Sequence, residues 1–184
     1  MLNLDTEDDN ELTIGCAGGV DVTAHGSYDE ESLEGEFVGM ELKVMGLSGG
    51  HSGMDIIKGL GNANKLLTRI LYKSYEQFGL RIAKIEGGGL RNAIPREAEA
   101  LVVIPNNQEV AFLEYLEEFS LMISEELGTT DPDFKLKVQK ANAPSTVMNE
   151  DDQDLLMAAL YACPNGIHRM SPEIEGLVQT SNNI

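Results

Sequence analysis

A chain of 184 residues with 42% hydrophobic content has room for one compact domain with a sizeable core, or one domain with extended tails; two full domains would be cramped. Thirteen lysines and arginines stand against 31 aspartates and glutamates, and the resulting charge of -18 repels phosphate backbones and anionic head groups, which excludes nucleic acid and membrane surfaces as partners. With no run of about 18 apolar residues and no basic-then-apolar leader, the expectation is a soluble cytoplasmic protein.

The opening MLNLDTEDDNE passes from an apolar stretch into an acidic cluster, as a buried strand does on leaving for a solvent-facing loop, with Asp5 at the exit. Residues 12–28 read as extended, and 29–36 as an acidic turn. Val38, Met40, Leu42 and Val44 alternate with polar or small residues and predict a strand. After the glycine-rich turn GLSGGHSG, the residues Leu60, Ala63, Leu67, Ile70 and Leu71 recur at helical spacing, and Gly79 caps that helix after Phe78. Residues 80–86 and 98–104 predict two strands, which the glycines and Pro95 of GGGLRNAIPRE keep apart. Phe112, Leu116, Phe119, Ile123 and Leu127 mark a second helix ending at Gly128, and Phe134, Leu136 and Val138 a fourth strand.

The order β-α-β-β-α-β, with right-handed crossovers, predicts an α+β, ferredoxin-like fold with both helices on one face of a four-stranded antiparallel sheet. A further helix over 151–162, capped by Asn149 or a neighbour, an irregular MSPEIEG and the apolar-to-polar LVQTSNNI complete the chain. The expected organisation is a strand end and loop over 1–11, an extended arm over 12–36 and the ferredoxin-like core over 37–141. A helical extension over 142–177 and a last strand over 178–184 follow.

The fold hosts many unrelated activities, so loops must decide function. Glycines 46, 49, 50 and 53 let the backbone hold His51 at the start of a helix, whose positive end favours a neutral ring able to donate to a developing oxyanion. The plainer reading is a histidine that caps the helix or bridges loops. Arg91 and Asn92 offer a forked cation and an amide suited to a carboxylate and a peptide carbonyl. Alternatively, Asn92 fills a turn position and Arg91 is a solvated charge.

Asp5 with Glu7, Asp8 and Asp9 resembles half a hard-cation site, but Asn10 stands where a calcium loop needs glycine. The three histidines, His25, His51 and His168, have no zinc-site spacing, and Cys16 and Cys163 form neither a thiolate zinc motif nor a disulfide framework. Phosphate-loop, dinucleotide and nucleophile-elbow motifs are missing, and the scattered methionines suit core filling.

Taken together, LNLDTED, IGCAGG, KVMGLSGGHSGMDI, GLGNANKLL, GGGLRNAIPREA, CPNGIHRMS and GLVQTSNNI resemble the middle third of the aminoacyl-histidine dipeptidases within the M20 metallopeptidases. That resemblance implies a ferredoxin-like lid and dimerisation domain inserted in a two-zinc catalytic domain of the same parent chain, with a homodimer formed through the lid. It implies that Asp5 is a zinc ligand stranded on a fragment, that His51 stabilises the tetrahedral intermediate, and that Asn92, with Arg91 a weaker candidate, binds an Xaa-His dipeptide. Because the other zinc ligands and the glutamate base have no counterpart here, the fragment alone is expected to bind no zinc and to be inactive. The rival expectation is a non-enzymatic ferredoxin-like module that binds a small ligand or a partner protein; an independent metallohydrolase is a third.

Overall fold

The computed structural model describes Asn10 and residues 18–184. Its elements run β1 (Glu30–Ser32), β2 (Phe37–Met45), β3 (Gly50–His51), α1 (Ala63–Phe78), β4 (Arg81–Gly87), β5 (Ala93–Ile94), β6 (Ala98–Pro105), α2 (Glu109–Glu126), β7 (Lys135–Ala141), β8 (Thr146–Met148), α3 (Glu150–Ala162), β9 (Gly166–Met170) and β10 (Val178–Asn182). β4, β6, β2 and β7 form, in that order, an antiparallel sheet, which with α1 and α2 is the predicted ferredoxin-like topology.

The alternation in β2 decides which face is covered. Met40, Leu42 and Val44 are fully buried, and their register partners Val102, Ala100 and Ala98 in β6 are buried with them. Against this face α1 sets Leu67, Ile70 and Leu71, and α2 sets Phe112, Leu116 and Ile123. Each such side chain contributes about 1.5–3 kcal/mol by leaving water, so this single layer holds the domain together. The opposite face carries Glu41, Lys43, Lys84, Glu86, Glu99 and Lys137 and stays open.

Two helix boundaries follow from local chemistry. Gly79, at φ 66°, ends α1 and donates to the Tyr75 carbonyl, as predicted. The start differs: Leu60 lies outside the helix, because Asn62 has extended backbone and its side chain accepts the Lys65 N–H at 3.1 Å, making Ala63 the first helical residue. A short 3-10 turn over Ile56–Lys58 lies between His51 and α1.

α3 begins at Glu150, with the Asn149 side chain accepting the Asp152 N–H at 3.0 Å. It packs beside α1, and its Met157 joins the common core. Gln153, fully buried, seals the outer edge of β4: its Oε1 accepts the Ile82 N–H at 2.7 Å and its Nε2 donates to the Leu80 carbonyl at 3.0 Å. The Lys65 ammonium donates to the carbonyls of Leu160, Tyr161 and Cys163 and so closes the far end of α3. Burial of Lys65 holds its pKa below the ordinary lysine value.

Three small ladders were not predicted. β1 pairs with β8, β9 with β10, and β3 with β5, all antiparallel. No helix among the described residues is long and apolar enough to cross a membrane.

Candidate functional site

The ladder of β3 and β5 joins the two motifs singled out in the sequence. Gly50 pairs with Ile94 and His51 with Ala93, and the Ser52 N–H donates to the Asn92 carbonyl at 2.8 Å. The backbones of His51 and Asn92, from GGHSG and RNAIP, are therefore neighbours, and both residues are exposed.

The imidazole is oriented by its own loop. Nδ1 accepts the N–H of Gly53 and that of Met54, each at 3.1 Å. A nitrogen that accepts two amide protons carries none itself, so the neutral ring holds its proton on Nε2, which has no hydrogen-bond partner among the described residues. The positive end of a helix was expected to set this state. The donors are instead amides of a turn, because α1 opens only at Ala63. For the neutral ring the chemical outcome is one tautomer, with Nε2–H as the donor.

Two aspartates hold the loop. Asp55 Oδ2 accepts the His51 N–H at 2.7 Å, and Lys58, followed by that N–H, keeps the Asp55 carboxyl below the usual carboxylate range. At the loop's base Asp131 is 1% exposed, and its two oxygens accept the N–H groups of Ser48 and Gly61, each at 2.8 Å. Gly46 turns the chain between β2 and this base at φ 79°, where a Cβ would lie 2.0 Å from the Asp133 carbonyl oxygen.

The chain's last residues dock nearby. The Asn62 amide donates to Asn165 Oδ1, Asn183 Oδ1 and the Ile184 carbonyl at 2.9, 3.1 and 3.0 Å, and Asn183 Nδ2 donates to the Ala93 carbonyl at 2.9 Å. Neither these asparagines nor Asp55 and Asp131 were among the sequence candidates. Asp55 carried a weak signal, an aspartate in a glycine-rich turn where local backbone amides await acceptors. The others bond across long sequence separations and left no local signature.

Arg91 is placed differently from Asn92. Its guanidinium pairs with Asp21 at 3.0 Å, with both side chains largely exposed, and lines a cleft of about 510 Å³ shared with Asn64, Asn183 and Ile184. His51 and Asn92 do not line that cleft. Asp5 lies outside the described residues. Among the described residues no three His, Cys, Asp or Glu side chains are grouped to hold a metal ion.

Fold and loop together define a class. Residues 42–131 match the peptidase dimerisation domain of the M20 family. Over all 184 residues it is 35% identical to the cytosol non-specific dipeptidase of Escherichia coli (strain K12), of which it spans 38%. The crystal structure of aminoacylhistidine dipeptidase from Vibrio alginolyticus superposes with a TM-score of 0.82 at 39% identity, over 85% of this chain and 32% of that one.

Proposed function

We propose that this chain is the lid and dimerisation domain of a dipeptidase acting on Xaa-His dipeptides, working against a catalytic domain of the same parent chain. The observation that carries the reading is the doubly anchored Nδ1 of an exposed His51, which leaves Nε2 as the donor of the neutral ring, on a loop whose backbone adjoins that of Asn92. A neutral donor of this kind suits the scissile carbonyl oxygen, on which negative charge develops as water attacks and which it can stabilise without giving up its proton. Asn92 offers both a donor and an acceptor to the backbone of the bound dipeptide. Arg91 stands ready for a carboxylate once substrate displaces Asp21, since an exposed ion pair of this type is weak.

A metal cofactor, two zinc ions in this reading, belongs to the catalytic domain, with Asp5 as the ligand contributed from here. Segments 1–11 and 178–184 would connect to the catalytic domain, 12–36 would be the connecting arm, 37–141 the lid proper and 142–177 its extension. Cytoplasmic location agrees with the cytosolic E. coli relative.

In this reading the partner subunit is a second copy, which the match to a peptidase dimerisation domain supports. α2 supports this, because Val110, Leu113, Leu121 and Met122 are 70, 38, 62 and 45% exposed on a helix whose other side already fills the core. Beside it β7 pairs only with β2 among the described residues, leaving an open edge.

Replacing His51 by Ala in the full-length parent tests the catalytic reading. Turnover should fall by about 100- to 1000-fold, the worth of one oxyanion donor. A rate within about threefold of wild type would remove His51 from the mechanism.

A further inference from the structure

Asp55 holds the His51 backbone from both sides. Its Oδ2 accepts the His51 N–H at 2.7 Å, while its own N–H donates to the His51 carbonyl at 2.9 Å. The ring thus closed contains residues 52–54, and two of the amides inside it, Gly53 and Met54, are those aimed at His51 Nδ1. Whatever fixes the ends of the ring fixes the direction of these amides.

The carboxylate is itself oriented, since its other oxygen pairs with Lys58 Nζ at 2.6 Å. Gly50 makes the approach possible: a Cβ there would lie 2.8 Å from both Asp55 Cβ and Oδ2. On its far side the loop is held by the β3 and β5 ladder. These bonds lie in an exposed loop, where hydrogen bonds and ion pairs add little to global stability, so their main consequence is geometric.

We propose that Asp55 is the positioning residue for His51, a clamp on both of its peptide groups that fixes the ring as the Nε2–H tautomer and aims that donor outward. It does not touch substrate. The inference rests on the proposed role of His51, and its test separates the two.

The 184-residue chain, labelled with 15N at histidine, is examined by long-range 15N–1H correlation, with His51→Gln used to assign the His51 signals. Wild type should show one tautomer, protonated at Nε2. Asp55→Ala should give a mixture of tautomers with the amide spectrum of the sheet unchanged, and Asp55→Asn, which keeps an acceptor for the His51 N–H, should restore the single form. In the full-length parent, Asp55→Ala should lower kcat by about ten- to a hundredfold, as loss of orientation does, with KM little changed and Asp55→Asn recovering most of the rate. An unchanged tautomer in Asp55→Ala overturns the clamp. A shifted tautomer with undiminished kcat upholds the clamp and sinks the oxyanion role of His51 instead.

Discussion

Asp131 and Gly61, seventy residues apart, meet where a buried carboxylate oxygen accepts a backbone N–H at 2.8 Å. The second oxygen takes the Ser48 N–H, so one side chain ties the base of the His51 loop to the entry of α1 and to the end of α2. Asp131→Ala leaves both amides without their acceptor and should cost about 2–4 kcal/mol, measured by urea unfolding.

The same residue gives a pH dependence with a defined sign. Burial raises the Asp131 carboxyl, but the N–H groups of Gly61 and Ser48 outweigh it, and the folded value lies below the ordinary 3.8. The unfolded chain therefore takes up the proton first. The contribution is complete above 3.8 and is lost as pH falls through the depressed folded value. The stability gap between wild type and Asp131→Asn should be wide at neutral pH and narrow below 3.8; a gap that stays constant would show that the carboxylate charge has no part in it.

Much of the fold was legible because periodicity and burial agree. Met40, Leu42 and Val44 mark the covered face of β2 in the sequence as clearly as in the structure. The start of α1 was misplaced because Leu60 falls on the helical spacing, whereas the boundary is set by the Asn62 cap. The three-residue strands β1 and β8 were missed, since pairings this short and exposed have no pattern of their own. Of the site, the glycine-flanked His51 and the turn at Asn92 stood out locally, but their adjacency depends on the β3 and β5 ladder, which no two-residue strand announces. Asp131 was invisible because its partners are amides brought to it only by folding.

Gln153 links α3 to the sheet through one amide, and its replacement separates docking from helix formation. Gln153→Leu keeps the volume but leaves the Ile82 N–H and the Leu80 carbonyl buried without partners, at about 2–4 kcal/mol. Amide exchange should rise first at Ile82 and along α3, while β2 and β6 remain protected. Uniform loss of protection would mean that α3 unfolds only with the whole domain.

Asn92 should act on binding more than on turnover. Its backbone carbonyl, not its side chain, holds the Ser52 N–H, so Asn92→Ala preserves the ladder and removes only the outward amide. In the full-length parent KM should rise about tenfold for Xaa-His dipeptides, the value of one hydrogen bond near 1.4 kcal/mol, with kcat nearly constant. A fall in kcat with constant KM would move Asn92 from ground-state binding to the transition state.

The outer stripe of α2 is the last test, and it concerns assembly. Val110 and Leu121 are 70 and 62% exposed although the helix already contributes Phe112, Leu116 and Ile123 to the core, so their replacement leaves the fold intact. In a dimer each would gain about 1.5–3 kcal/mol by burial, and replacing both with glutamate adds charge at the proposed contact, weakening association by more than about 100-fold. Sedimentation of the 184-residue chain should show a dimer for wild type and a monomer for Val110→Glu with Leu121→Glu, with unchanged circular dichroism. A double variant that still sediments as a dimer would move the contact away from α2, leaving the open edge of β7 as the surface to test, by placing proline at Lys137.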